Sequence, residues 1–258
     1  MFIVWGKKIV YRRLGYVADF CPICRGKQVF ELKRVGSAGH VYYISAGQGE
    51  LVGYELICQD CRTSLQTDPG IYASFAKLPA PVEELVRTTF PNIDEVMADR
   101  LALEERIRRE PASLSADERR ALIRHPFLLL SPKVDRRFAS THVDRWVGLS
   151  LVGALLLMMI GPALTHAVAP DEAELSMLLF IVLGVALVVW QVVASKTRFM
   201  EREIIPVLAK SLRPLHPTEA ELREVMSELK LLRHKMASKL GSSERLAGLA
   251  AAPVAMAR

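Results

Sequence analysis

The chain has 258 residues and a formal net charge of +6, with 51% hydrophobic and 24% charged residues, enough for one large domain or two small ones. Charge is almost absent over 147–194 and dense on both sides, so the basic balance has a membrane explanation before a nucleic-acid one. Lys7 and Lys8 cut short the apolar start at 1–5, and no small-residue cleavage site follows, which argues against a signal peptide there.

Residues 1–68 are expected to form a small β domain. The β-forming residues Tyr11, 29–32, 41–44 and 51–57 are punctuated by Gly36, Gly39, Gly47, Gly49 and Gly53, which predicts short strands joined by turns. All four cysteines fall here, in two identical spacings: Cys21-Pro22-Ile23-Cys24 and Cys58-Gln59-Asp60-Cys61. A two-residue gap lets each pair wrap one side of a tetrahedral Zn²⁺, its backbone turned so that amides face the sulfurs. The 33 residues between the pairs exceed the roughly 15–20 of the simplest pattern but leave room for short strands. Cys21, Cys24, Cys58 and Cys61 are therefore candidate ligands of one structural zinc ion, since four thiolates leave no open position for water. His40 is the one further candidate in this domain. Two disulfides would conflict with the reducing compartment that the charge distribution around 146–195 implies. A redox dithiol needs only one pair and a thioredoxin-like context, and iron–sulfur clusters use other spacings.

The stretch Met1-Phe2-Ile3-Val4-Trp5-Gly6-Lys7-Lys8, the step Leu14-Gly15-Tyr16-Val17 and the Cys21-Pro22-Ile23-Cys24 knuckle resemble the start of a family of bacterial zinc-ribbon proteins. The resemblance covers about residues 1–68 and implies a structural zinc domain of uncharacterised role. Arg25 and Arg62 depart from it, standing where the residue after each second cysteine is often glycine.

Residues 69–145 read as a helical cytoplasmic region. Pro81 and Pro91-Asn92 begin helical segments, and Ile93, Val96, Met97, Leu101, Leu103 and Ile107 form an apolar stripe opposite charged residues. Ser115 and Glu118 have capping-box spacing, and Pro126 is expected to end the helix they start.

Residues 146–195 hold two uncharged apolar runs, 147–167 and 175–194, each near the length of about 20 residues that spans a hydrocarbon core. They predict a two-helix transmembrane hairpin; the competing expectation is a buried hairpin in a soluble bundle. Lys133, Arg136, Arg137 and Arg145 precede the first run, and Lys196, Arg198, Arg202 and Lys210 follow the second. The 165–174 turn between them has Asp171, Glu172 and Glu174 but no Lys or Arg. The positive-inside rule then puts both termini in the cytoplasm and 165–174 on the outer side. Trp146 and Trp190 suit interfacial anchoring, and Pro162 is expected to kink or end the first helix. His166 beside the turn has no acidic partner inside the membrane to make it a ligand or proton site.

Residues 196–240 are expected to continue the second helix and then form an amphipathic cytoplasmic helix, with a Thr218/Glu221 capping box. Leu222, Val225, Leu229, Leu232 and Met236 follow in steps of three and four. This is either a short coiled-coil seam or the packed face of a helix on its own chain. The Ala-, Ser- and Gly-rich tail 241–258 is expected to be disordered.

The fold class is thus a small β zinc ribbon plus a mainly α remainder, with a transmembrane hairpin and amphipathic cytoplasmic helices. The expected function is a membrane-anchored cytoplasmic protein-interaction module or scaffold, whose partners are the lipid bilayer and either another protein or a second copy of itself. The alternative is a membrane-tethered nucleic-acid binder. Arg12, Arg13, Arg25, Lys27, Lys33, Arg34 and Arg62 would meet phosphates, and Tyr11, Phe30, Tyr42 or Tyr43 would stack on bases. Glu31, Glu50, Glu55, Asp60 and Asp68 dilute that patch. No enzyme is expected, because metalloprotease, phosphate-loop and nucleophile-elbow motifs are missing, as is any charge inside the apolar runs.

Overall fold

The computed structural model describes residues 5–41, 44–45, 47–139, 144–168, 173–240, 246 and 248. Met1 to Val4, Tyr42, Tyr43, Asp171, Glu172 and the 241–258 tail, apart from Leu246 and Gly248, lie outside the described residues. The chain divides into two compact units: Met1–Leu129 with Val207–Glu221 and Ala250–Arg258, and Leu130–Pro206 with Leu222–Leu249. The segment after the sheet, up to Leu129, belongs to the same unit as the sheet.

The first unit is built on an antiparallel sheet of β1 (Trp5–Cys21), β2 (Gly26–Val41), β3 (Ile44–Ser45), β4 (Glu50–Cys58) and β5 (Ser64–Gln66). Its order is β1-β2-β4-β5, with β3 paired to β2. β1 and β2 run for 17 and 16 residues, longer than the short strands expected from the glycines. Ladder pairing carries the backbone past Gly36 and Gly39, and the register shifts at Leu14, between Arg13 and Gly15. Beyond that bulge the sheet has a core: Val17, Ala18, Phe20, Phe30, Leu32 and Leu56 are buried. The earlier half of β1 is exposed, with Trp5, Ile9 and Tyr11 open to solvent.

Gly15 is fixed by a close approach. A Cβ there would meet the Ala76 carbonyl at 2.7 Å, and Tyr16 exchanges two backbone hydrogen bonds with Ala76, of 2.8 and 3.0 Å. The following helices, α1 (Val82–Thr89), α2 (Ile93–Val96) and α3 (Ala98–Arg109), add Leu85, Phe90, Ile93 and Ile107 to the core. α1 is pinned to β1 by Thr89, whose hydroxyl accepts from Ala18 N at 3.0 Å and donates to Leu85 O at 2.7 Å. Tyr72 stands edge-on to Phe90 and donates to buried Asp19, whose pKa burial raises against these hydrogen bonds.

α4 (Ala116–Ala139) starts on the expected capping box: Ser115 N donates to Glu118 at 3.0 Å and Glu118 N to Ser115 at 3.2 Å. It does not stop at Pro126 but runs through Pro126 and Pro132. Ile123, Phe127, Leu130 and Val134 share one face, and each is at most 1% exposed. That burial outweighs the cost of about 3 kcal/mol for an interior proline.

In the second unit α5 (Arg145–Val168) and α6 (Ala173–Phe199) lie side by side in opposite directions. Both are long and apolar enough to cross a membrane. α5 continues past Pro162 to Val168. The small residues divide into two kinds. A Cβ on Gly161 would meet the Phe180 ring at 2.7 Å, and one on Gly184 would meet Met158 at 2.5 Å, so these two glycines let the helices close. Gly148 and Gly153 have nothing within 4 Å. Apolar side chains face outward: Leu149, Leu155, Met159, Leu175, Leu178 and Trp190 are each at least 60% exposed. That pattern is opposite to the buried hairpin of a soluble bundle. At the open end Asp144 caps α5 through Val147 N at 2.9 Å and pairs with Arg198 at 3.1 Å. Arg137 donates to Ser195 at 3.1 Å, and Lys133 pairs with Glu203 at 2.9 Å.

α6 continues, as expected, through a wider π turn at Met200–Ile204 into α7 (Ile205–Leu212). The π turn immediately precedes Pro206, which has no N–H for the preceding turn. α8 (Glu219–Leu231) begins on the Thr218/Glu221 box, with Thr218 N donating to Glu221 at 2.7 Å and Glu221 N to Thr218 at 3.3 Å. The seam is cut at its fourth member. α8 ends at Leu231, Arg233 takes a φ of 60°, and α9 (Lys235–Lys239) starts anew. Leu222, Val225, Leu229 and Met236 are buried in the chain itself, whereas Leu232 is exposed.

Candidate metal centre

The site is made of two hairpin turns. β1 ends at Cys21 and pairs with β2 from Gly26, so Pro22 to Arg25 are the whole connection. β4 ends at Cys58, and Gln59 to Thr63 turn the chain into β5. Pairing of Phe30 with Cys58 brings the second turn beside the first, and Gln59 N donates to Val29 O at 2.9 Å. The second turn is closed by Arg62 N to Cys58 O and Cys58 N to Thr63 O, both at 3.0 Å. In the first, Cys24 N points at Cys21 Sγ at 3.4 Å, the amide-to-sulfur geometry expected of a knuckle.

The four Sγ atoms lie within 4.8 Å of one another. Cys21 and Cys61 are 3.6 Å apart, and Cys24 and Cys58 3.9 Å. A tetrahedral ion with metal–sulfur bonds near 2.3 Å separates its sulfurs by about 3.8 Å, so the spacing fits. Among the described residues these four cysteines are the group of such side chains close enough together to hold a metal ion. His40 stands at the other end of β2, paired with Gly6, and is not a fifth ligand. Thiols so close cannot ionise independently. Hydrogen bonds from Cys21 and Cys24 hold Cys58 and Cys61 below the usual thiol range. Cys24 is raised by its hydrogen bonds to Cys21, Cys58 and Cys61. For Cys21 the hydrogen bond to Cys24 lowers the pKa, but the bonds to Cys58 and Cys61, burial and the charge of Cys61 together raise it. A cation removes this conflict by taking all four as thiolates.

Arg25 and Arg62, the departures from glycine, both adopt a left-handed φ of 56°. The turn is kept, and the two side chains differ in what holds them. Arg62 is exposed and donates to Gln59 at 3.3 Å. Arg25 is buried: its Nε donates to Ser211 O at 2.7 Å, and it pairs with Glu104 at 2.9 Å, the two side chains being 7% and 6% exposed. Arg100 pairs with the other Glu104 oxygen at 2.9 Å. Beside the second turn Lys210 pairs with Asp60, which also accepts from Cys24 Sγ at 3.2 Å. Burial lowers the Lys210 pKa, but the hydrogen bond to Asp60 and the negative charge of Asp60 and Cys61 outweigh it, and the net shift is upward. Sequence reasoning missed Glu104, Ser211 and Lys210, which are far from the cysteines in the chain. The two arginines in glycine positions were the available signal.

Several members of the basic set expected to meet phosphates are engaged within the chain. Arg25 is buried, Lys27 pairs with Asp94, and Lys33 pairs with Glu31. Arg34 donates to the Gln48 and Gly49 carbonyls, at 2.8 and 2.9 Å. Phe30 is fully buried and cannot stack on a base. His166 is exposed near the end of α5. Compared with protein-family models, with curated proteins and with solved structures, the chain matches none.

Proposed function

We propose that the protein is a membrane-anchored scaffold whose cytoplasmic part is built on a zinc ribbon, with both termini cytoplasmic and 165–174 on the outer side. The carrying observation is the presence, in one chain, of a closed four-cysteine cluster and two helices whose apolar side chains face outward. Zinc is the ion these ligands suit, since four thiolates at tetrahedral spacing favour it and leave no coordination position for catalysis. Its role is structural and the protein is not an enzyme. Leu78, Val96 and the adjacent Leu231 and Leu232, each more than half exposed, supply apolar side chains for a protein partner to cover. Leu222, Val225 and Leu229 are already buried and are not offered to it. The nucleic-acid reading is disfavoured because Arg25, Lys27 and Lys33 are paired with acids and Arg34 is engaged by backbone carbonyls.

The test has two arms. Protein purified from membranes should carry about one zinc per chain, and reporters in the 165–174 turn and at both ends should give opposite signals. An iron-loaded or metal-free folded protein defeats the first claim, and an outside signal from either end defeats the second. Partners held by apolar contacts should stay bound through a moderate rise in salt, whereas nucleic acid would be lost steeply.

A further inference from the structure

The end of the sheet farthest from the cysteines carries a surface that the metal centre does not use. The register sets Trp5, Val41 and Ile44 in one row across three strands, on one face of the sheet. Trp5 is 80% exposed and Ile44 78%. Alternation along β1 adds Lys7, Ile9, Tyr11 and Arg13 to the same face, with Lys8 and Arg12 on the other. Lys7, Lys8, Arg12 and Arg13 are the charges of residues 5–13, the stretches 35–41 and 44–45 have no acid, and Glu50 is the nearest acid in the ladder, opposite Ser37. A tryptophan and an isoleucine this exposed, side by side and flanked by cations, call for a partner that is apolar inside and anionic outside.

We propose that this end of the sheet inserts into the headgroup layer of an anionic bilayer, Trp5 and Ile44 entering the acyl boundary and the lysines and arginines meeting lipid phosphates. Tryptophan at that depth keeps its ring apolar and its N–H wet, and lysine stems lie along apolar surface with the ammonium in the headgroups. A single-stranded nucleic acid would use the same cations and could stack on Trp5 and Tyr11, but it would leave the aliphatic Val41 and Ile44 beside Trp5 in water, whereas a bilayer covers them. The proposal rests on the membrane-anchored reading above, which keeps a bilayer available to the sheet.

The full chain, with its three tryptophans at 5, 146 and 190, provides the probe. Two variants are reconstituted in vesicles of phosphatidylcholine alone or mixed with phosphatidylglycerol: Trp146→Phe/Trp190→Phe, which reports Trp5, and Trp5→Phe, which reports the helices. Zinc content confirms an intact ribbon in each. In the anionic vesicles Trp5 should be quenched by acyl-brominated lipid and shielded from aqueous acrylamide. Both effects should be lost in phosphatidylcholine alone and on adding Lys7→Glu/Lys8→Glu. Trp5 equally open to acrylamide in both vesicles overturns the proposal, as does shielding that appears only with a single-stranded oligonucleotide. If bromolipid fails to quench Trp146 and Trp190, the anchored reading falls; if it quenches them and not Trp5, only the present inference does.

Discussion

The cysteine end of the sheet and the α5–α6 hairpin are both rich in apolar residues, and they use them in opposite ways. In the sheet Val17, Phe30, Leu32 and Leu56 are turned inward, and a core this small is closed by the four-cysteine cluster and a buried Arg25–Glu104 pair. In the hairpin Leu155, Met159 and Leu178 are turned outward, and the contact between the helices is made at Gly161 and Gly184. One region shuts water out of a small volume; the other turns its apolar side chains to its surroundings, as the surface of a membrane-spanning hairpin would. Composition alone does not distinguish them; the direction of the side chains does.

The proposed zinc offers the sharpest way to break this comparison. Structural zinc contributes about 10–16 kcal/mol of apparent binding energy in small domains, so a strong chelator or Cys58→Ser should unfold the sheet. The hairpin should stay in the membrane fraction, as circular dichroism and sedimentation would show. Next in size is Glu104→Gln, which leaves the buried Arg25 without its counter-charge and should cost about 3–5 kcal/mol, read as a lower urea midpoint. On the hairpin side, Met159→Arg puts a charge on the exposed face of α5 and should cost about 3 kcal/mol of insertion, seen as a smaller membrane-inserted fraction. Smallest, and most diagnostic in sign, is the pair of arginines at φ 56°. Arg62→Gly relieves the left-handed backbone and should stabilise by about 1 kcal/mol, less the added entropy of glycine. Arg25→Gly relieves the same strain but takes from buried Glu104 one of its two arginine partners, and should destabilise.

The parts that could be read from the sequence are those whose physics is local. Two residues between cysteines set a knuckle, Ser115 with Glu118 and Thr218 with Glu221 set helix starts, and the uncharged runs set the two long helices. What escaped depends on distant partners. Pro126 stops a helix that is judged by its own residues, but burial of Phe127, Leu130 and Val134 carries α4 through it. The step pattern at Leu222 did not reveal that the chain would turn at Arg233, leaving Leu232 outside. Arg25 appeared as a defect in a turn, because its justification lies at Glu104 and Ser211.

The bulge at Leu14 has a consequence in time. On the cysteine side of it, β1 amides lie over a buried core, and with the proposed zinc bound they should open only when the four-cysteine end opens. On the Trp5 side the same two strands are held by ladder hydrogen bonds with little buried beneath them. Opening free energies within one domain range from near zero to the global value, so a single strand here should contain both extremes. Amide hydrogen exchange should be slow from Tyr16 to Cys21 and fast from Trp5 to Arg13, and chelation should erase the difference by speeding the slow half alone.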